Sequence, residues 1–273
     1  MRAFAVVALL VSGLPAVVSG QRPPDTVFLE ELTWDEIRDL IAAGRTSAII
    51  ATAGTEQKGP HMVMGEHRYV LEYTTDRIAR ALGNALVAPI ITYVPEGSWD
   101  PPSGHMRMAG TISLPNEMFM VLLEHTAKSL EAGGFRDILF IGDSGGNQNG
   151  MRDVAAKLNQ EWAGSGSRAH FIGDYYAKSS DDAEKYITEE LGIAAEYIGG
   201  HAGMSDTSQM MFVNAKHIRT DRLAPAGGFE GSGVSGDPTR ASPELGEKLL
   251  QIKIDNAIAQ IRTSTAATQE RTR

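Results

Sequence analysis

Apolar positions along the chain alternate between short continuous runs and longer stretches with a helical period. The continuous runs predict four buried strands, at residues 47–53, 86–94, 137–141 and 169–172. Apolar residues three and four positions apart predict helices at 34–43, 67–82, 115–131, 151–162, 180–191, 205–212 and 242–258. Because strand and helix alternate, we expect an α/β fold, a three-layer sandwich in which helices flank a mainly parallel β-sheet.

Capping residues place several of these boundaries. Thr33 and Glu36 match a capping box at the start of the first helix. Pro115 and Pro243 stand where two later helices open, and proline is well tolerated at the first helical position. The polar end of the chain, from Thr263, is expected to fray.

The first twenty residues have the pattern of a secretory signal. Arg2 precedes the apolar run 3–10, and the segment closes on small residues up to Gly20. The segment is too short to span a bilayer comfortably, so we expect cleavage near Gly20; the alternative is an uncleaved membrane anchor. We expect the mature chain, 21–273, to be one domain that is exported to the periplasm or secreted.

Composition and the absence of several motifs argue against certain classes of partner and of enzyme. The formal net charge of -9 argues against nucleic acid as a partner, because phosphate binding needs clustered Lys and Arg. The chain has no cysteine, which removes thiolate nucleophiles and sulfur metal ligands. It also has no Walker loop, no dinucleotide-binding GxGxxG motif and no GxSxG elbow, which disfavours kinases, nicotinamide enzymes and α/β-hydrolases.

Ionisable residues crowd the stretch that follows the first predicted strand. Glu56, Lys58, His61, Glu66 and His67 fall within twelve positions. Open α/β sheets bind ligands outside the carboxyl ends of their strands, so this crowding predicts a site. Oxygen and nitrogen donors without sulfur suit Zn, Mn or Fe. The alternative is a turn of solvated polar residues with one histidine facing the core.

A second loop, 142–147, follows the third predicted strand and is rich in glycine. It should lie at the same edge of the sheet as the first loop. Its backbone amides could face an anion or an oxyanion, with Asp143 or Ser144 aimed at a substrate. Otherwise the glycines only make a tight turn.

Two further histidines lie in irregular segments. His201, with Asp206 five positions on, could supply proton transfer and a carboxylate ligand, although Asp206 could merely complement a helix dipole. His105 lies in the segment 95–110, where a functional lid and an ordinary hydrogen-bonded side chain are equally good interpretations.

Five segments resemble the signatures of the creatininase family, in order and across nearly the whole mature chain. They are GTEQKGPHMVMG, GHMRMAGTISL, IGDSGGN, HAGMSDTSQMM and GVSGDPTRASPELGEKLL. The resemblance implies a sandwich of mainly parallel sheet and helices, and a homo-oligomer, often a hexamer. It also implies a two-metal site that activates water to hydrolyse amide C–N bonds, often in cyclic small molecules.

The departures from the family pattern fall on its metal ligands. Lys58 and His67 stand where the family has a His and a bridging Asp. Ser144 stands where the family has a metal-binding His, and Gly146 where its creatinine-opening member has a Glu. His201 matches the catalytic His of the family. A lysine ammonium would repel a second metal ion, so we do not expect a standard two-metal centre.

Our first hypothesis is an exported hydrolase of a small-molecule amide, cyclic amide or lactone that uses one divalent ion, Zn with Mn or Fe as alternatives. This hypothesis assigns three sets of site residues. The metal set is Glu56 and His67 with Asp206, Asp143 or His61. The catalytic set is His201, the proton shuttle, with Lys58 and Ser144. The substrate-binding set is His105, Asp143, Gly145, Gly146 and Asn147.

Three other interpretations stay open. The Lys58 ammonium could occupy the space of the lost metal and stabilise an oxyanion. The chain could be a metal-free periplasmic protein that binds a small molecule on the fold of an enzyme. Lastly, Lys58 could act as a general base or form a Schiff base in an apolar pocket.

Overall fold

The computed structural model describes residues 24–223 and 231–271, and four strands form its central sheet. They are β1 (Ser47–Thr52), β2 (Ala85–Val87), β3 (Asp137–Gly142) and β4 (Arg168–Phe171). The strand order is β2-β1-β3-β4, and every neighbouring pair is parallel. Within this register Ala48 pairs with Leu86 on one side and Ile138 on the other. The predicted parallel sheet is confirmed.

Helices cover both faces of this sheet. They are α1 (Trp34–Ala42), α2 (Glu66–Leu82), α3 (Asn116–Ala132), α4 (Gln148–Glu161), α5 (Ala177–Lys185), α6 (Met204–Asn214) and α7 (Pro243–Arg271). Successive side chains of a strand point to opposite faces, so β1 feeds two cores. Ile50 packs with α3 and α4, while Ile49 packs with α2 and α7. The predicted three-layer α/β sandwich is therefore confirmed.

The predicted capping residues act much as expected. The backbone amide of Thr33 donates to Glu36 Oε2 over 2.7 Å, which completes the capping box of α1. Pro243 is the first residue of α7. Pro115 instead lies one position earlier than predicted, as the residue that precedes α3.

Three predicted boundaries were wrong. The second strand ends at Val87, because Pro89 has no amide hydrogen for the ladder, and pairing resumes as isolated bridges, at Ile91 with β1 and at Val94 with Ser113. The segment 180–191 divides, since α5 starts at Ala177 and gives way to a π-turn at 186–190. The helix α7 continues past Thr263, to Arg271.

Some predictions fall on residues that the structure does not describe. The proposed secretory signal, 1–20, lies outside the described residues, as does the stretch 224–230 of the glycine-rich segment 225–238. Among the helices within 24–223 and 231–271, none combines the length and the apolar character needed to cross a membrane.

Candidate active site

A cavity of about 990 Å³ opens where the carboxyl ends of the strands meet. Its walls come from the loops after β1, β2 and β3, from α5 and the segment 195–201, and from the start of α6 and one face of α7. Parallel strands place their carboxyl ends at one edge of the sheet, which is why loops distant in sequence meet here. Side chains from each of these elements reach the cavity: Glu56, Lys58, Glu96, His105, Ser144, His201, Asp206 and Lys253.

Lys58 lies beneath the cavity, and its side chain is only 1% exposed. Its Nζ lies 3.2 Å from Glu56 Oε1, 3.2 Å from Glu66 Oε2 and 3.1 Å from Asp206 Oδ2. An ammonium group has three hydrogens, so each can face one carboxylate. Burial alone would lower the pKa of Lys58, but these three carboxylates hold that pKa well above its usual value. Lys58 is therefore a fixed positive charge.

His67, in the first turn of α2, lies between three carboxylates. Its Nε2 is 2.8 Å from Glu56 Oε1, and its Nδ1 is 3.0 Å from Asp143 Oδ2 and 3.1 Å from Glu66 Oε2. Burial and the nearby Lys58 would lower its pKa, but the surrounding carboxylates raise that pKa well above the usual value. Because both nitrogens face acceptors, the ring is an imidazolium that bridges the loops after β1 and β3.

Lys253 adds a third cation from α7. Its Nζ contacts Asp143 Oδ1, while the other carboxylate oxygen of Asp143 faces His67. Burial would raise the pKa of Asp143, but Lys253 and His67 hold it below its usual range. The site thus contains a chain of alternating charges: Asp206, Lys58, Glu56, His67, Asp143 and Lys253.

Two histidines face Glu56 from the cavity side. His105 Nε2 lies 3.1 Å from Glu56 Oε2, and His201 Nδ1 lies 3.7 Å from Glu56 Oε1. The two imidazole rings are 4.4 Å apart between centroids. Burial is the main cause that lowers the pKa of His105 and brings that of His201 to about 4. Both rings are therefore neutral at neutral pH.

Gln57 fixes the hydrogen positions of these two rings. The amide of Gly59 donates to Gln57 Oε1 over 3.0 Å, which leaves Gln57 Nε2 facing His105 Nδ1 at 3.2 Å. Nδ1 of His105 is then the acceptor, and its Nε2 hydrogen points toward Glu56. His201 Nε2 donates to the backbone carbonyl of Gln57 over 2.6 Å, so Nδ1 is the unprotonated nitrogen of His201.

Glu96 is a site residue that the sequence analysis missed. It lies beside Glu56, and burial together with that neighbouring carboxylate raises the pKa of Glu96 to about 9. Ser144 Oγ donates to Glu96 Oε1 over 3.5 Å. A β-carbon on Gly54 would come within 2.4 Å of that same oxygen, so a larger residue there would displace the Glu96 carboxyl group. Glu96 follows β2 as Glu56 follows β1, and the rule about strand ends could have found it.

The structure separates the predicted residues into two groups. Glu56, Lys58, His67, His105, Asp143, Ser144, Gly145, Gly146, His201 and Asp206 all line the cavity. His61 and Asn147 do not. His61 Nε2 contacts Thr207 Oγ1 of α6 at 2.9 Å, and Asn147 Nδ2 donates to Thr52 Oγ1 over 3.1 Å. Both are fully buried; Asn147 supports β1 and His61 supports α6, and their assigned roles stay predictions.

Comparison with known proteins agrees with this geometry. A family model described as creatininase, creatinine amidohydrolase, matches residues 30–261. The chain belongs to the creatininase family. It is accordingly an amidohydrolase-type enzyme, and the resemblance inferred from the five sequence segments is confirmed.

Individual creatininase-family relatives are distant. The creatinine amidohydrolase of Pseudomonas putida is 26% identical over 259 residues, covering 87% of this chain and 96% of the relative. A mycofactocin precursor peptide peptidase of Mycobacterium ulcerans (strain Agy99) is 26% identical over 248 residues, covering 79% and 84%. A solved structure described as "Creatininase Mn" matches with a TM-score of 0.72 and 21% identity, over 88% of this chain and 98% of that one.

The two-metal centre implied by the family does not fit these residues. Lys58 Nζ sits among three carboxylates, and the nitrogens of His67 already face Glu56, Glu66 and Asp143. A protonated imidazole has no lone pair to offer a metal. The predicted metal set therefore stays a prediction, and its two leading members, Glu56 and His67, contact each other as an ion pair.

One other group of donors fits a single ion better. Ligand atoms of Glu56, His105 and His201 lie within 4.8 Å of one another at the cavity wall. One carboxylate and two imidazoles are a common ligand set for Zn, Mn or Fe. Glu56 Oε2 is buried and faces His105 Nε2 at 3.1 Å, a separation that suits two ligand atoms of one ion. To bind an ion through Nε2, His105 would have to carry its hydrogen on Nδ1 instead. The side-chain amide of Gln57 would then have to rotate so that its oxygen accepts that hydrogen.

Proposed function

We propose that this protein is an exported hydrolase that opens an amide or cyclic amide C–N bond, or a lactone, in a small molecule. The observation that carries the proposal is the convergence of Glu56, His105 and His201 on one wall of the cavity, above the fixed charges of Lys58 and His67. A volume of about 990 Å³ suits a small ligand.

Two side chains are placed to move protons. Nδ1 of His201 can accept a proton from an attacking water, because its Nε2 hydrogen is held by the carbonyl of Gln57. Glu96 is protonated at neutral pH, since its pKa is raised to about 9, and it can donate that proton to the leaving nitrogen. The base and the acid thus face one cavity with opposite protonation states.

Lys58 and His67 place two fixed cations, each paired with carboxylates, in the floor of the cavity. Negative charge develops on the carbonyl oxygen during amide hydrolysis, and preorganised cations in a buried site stabilise it strongly. Both side chains are held in place by carboxylates, so neither must reorganise when the charge forms. Ser144 and the backbone of Gly145 and Gly146 form the adjoining wall, where they can orient the substrate.

A single divalent ion, Zn with Mn or Fe as alternatives, belongs to this proposal. Glu56, His105 and His201 would hold it, and His201 would then bind through Nδ1, so proton transfer by that nitrogen belongs to the enzyme without the ion. When bound there, it would polarise the substrate carbonyl and lower the pKa of water.

Export and assembly complete the proposal. The signal pattern of residues 1–20 supports a mature protein in the periplasm or outside the cell. A row of apolar side chains on the outer face of α3, Met118, Val121 and Leu122, is 38–52% exposed. Contiguous exposed apolar surface favours self-association, and a homo-oligomer, with a hexamer as the form typical of the family, is the assembly that we propose.

The experiment is a hydrolysis screen with the mature chain, with added Zn or Mn and after chelation. The panel contains cyclic ureides, N-acyl amines and lactones. It also contains short peptides, because one relative is named a peptidase. Turnover that falls about 10²–10⁴-fold in His201→Gln is the expected result.

A metal-free binding protein is the second candidate, and Ser144 and Gly146 favour it because they replace a His and a Glu of the family pattern. It predicts that a panel compound binds without turnover, and that Glu56→Gln leaves the affinity unchanged. That result would remove the hydrolase proposal.

A further inference from the structure

The charge chain beneath the cavity leaves little of its bonding capacity unused. Lys58 faces Glu56, Glu66 and Asp206 at 3.1–3.2 Å, one carboxylate for each ammonium hydrogen. The next cation along, His67, faces Glu56 through Nε2 and Asp143 through Nδ1. The hydrogens of Lys58 and His67 are therefore directed at protein oxygens, and each carboxylate of the chain faces at least one cation.

We infer that the side chains of Lys58 and His67 occupy the place of the family's metal pair, so that the buried charge chain takes no metal ion. The two cations lie at the positions where the resemblance puts a metal-binding His and the bridging Asp. Each contacts several carboxylates at once, as a metal ion in that place would. The protein carries its own positive charges where relatives bind theirs.

The loop after β3 gives an independent reason. A metal pair needs ligands from this loop, and a β-carbon on Gly146 would lie only 2.6 Å from the backbone oxygen of Pro95. A ligand side chain therefore cannot stand there without a shift of the backbone. The other loop position, Ser144, turns its hydroxyl toward Glu96. Neither position supplies an imidazole or a carboxylate.

Electrostatics points the same way. Lys58 and Lys253 are fixed cations on either side of His67, joined to it through Glu56 and Asp143. A divalent ion that entered between them would find the carboxylates already paired with these cations, and it would be repelled by each cation that it did not displace. A metal ion could replace these cations only if the side chains of Lys58, His67 and Lys253 moved out of the site together.

This inference goes beyond the proposed function, because it concerns the number of ions and not the reaction. The single ion proposed for Glu56, His105 and His201 lies on the cavity side, and only two of its ligands, His105 and His201, stand outside the charge chain. The variant His105→Ala therefore removes the cavity-side site and leaves the charge chain intact. Metal content and catalysis can be measured separately, so failure of one does not imply failure of the other.

The test is metal analysis by mass spectrometry after incubation with Zn or Mn and gel filtration, alongside thermal melts with and without chelator. We expect the mature protein to retain at most one equivalent, and His105→Ala to retain about none. Retention of two equivalents, or of one equivalent that survives His105→Ala, would overturn the inference.

A gain of metal binding provides the second arm. The triple variant Lys58→His, His67→Asp and Ser144→His replaces both cations by ligands and adds the loop imidazole. We expect it to gain metal relative to the parent and to melt at a higher temperature when metal is present. The matched control, Ser144→His alone, adds the same imidazole but keeps both cations, and we expect no gain. A folded triple variant without any gain would count against the inference.

Discussion

Nε2 of His67 lies 2.8 Å from Oε1 of Glu56, and this contact joins the first turn of α2 to the loop after β1. The same carboxylate oxygen lies 3.2 Å from Lys58 Nζ and 3.7 Å from His201 Nδ1. Glu56 is thus the residue that contacts both the buried cations and the histidines of the cavity. Glu56 therefore contributes both to the stability of the site and to its chemistry.

Removal of the Lys58 charge should destabilise the fold strongly. In Lys58→Met the carboxylates of Glu56, Glu66 and Asp206 lose their shared cation, and breaking a buried ion pair from one side costs about 3–5 kcal/mol. Urea unfolding of the variant and the parent would measure the difference. The control is Lys178→Met, which removes an exposed partner of Asp182 and should change stability by under about 0.5 kcal/mol. Equal effects of the two variants would contradict the prediction.

Acid should weaken the fold through the carboxylates of the charge chain. Burial would raise the pKa of Asp143 and Asp206, but their cations lower both values. A carboxyl whose folded pKa is depressed stabilises the fold above its unfolded pKa of about 3.9, and the contribution is lost as pH falls through the folded value. We expect the melting temperature to fall progressively below about pH 5.

Asp143→Asn separates this effect from general acid denaturation. The variant lacks the titrating carboxyl that faces His67 and Lys253, so it should be less stable than the parent at neutral pH. The difference should shrink as the pH is lowered, because protonation removes the same interaction from the parent. A difference that stays constant from pH 7 to pH 3 would show that Asp143 is not the relevant group.

Much of the fold could be predicted because strand and helix periods are local properties of the sequence. The runs that became β1 and β3 are buried almost throughout, and their alternate side chains enter both cores. The second strand was predicted too long because apolar character continues past Pro89, which interrupts the hydrogen-bonding ladder until Ile91. Hydrophobic periodicity predicts which residues are buried. It does not show where a proline lacks the amide hydrogen that a strand needs for pairing.

The site was predictable only where its residues share a loop. Glu56, Lys58 and His67 are neighbours in sequence, so their crowding predicted a site before their contacts were known. Lys253 lies in a helical stretch near the other end of the chain, and no local pattern links it to Asp143. The protonation of His67 also depends on three carboxylates from different elements, so the sequence could suggest a metal ligand where the structure has an imidazolium.

Glu96→Gln should separate catalysis from stability. Because the pKa of Glu96 is raised to about 9, the residue is neutral at neutral pH, and glutamine has nearly the same shape and charge. Unfolding free energy should therefore change by less than about 1.5 kcal/mol. Hydrolysis should fall about 10²-fold, because the amide cannot donate an acidic proton to the leaving group. Chemical unfolding and kcat/KM would be measured on the same preparation, and unchanged turnover would remove Glu96 from the proton-transfer steps.

The outer face of α3 should govern assembly. Leu122→Glu places a charge among Met118, Val121 and Leu122, where an interface between copies would have to bury it at high cost. We expect light scattering coupled to gel filtration to show a smaller species than the parent at the same concentration, with little change in thermal stability of the subunit. Gln160→Glu, at an exposed position of α4, introduces the same charge on another surface and should leave the assembly unchanged. A parent that is already monomeric, or a Leu122→Glu protein of unchanged mass, would show that this face is not where copies associate.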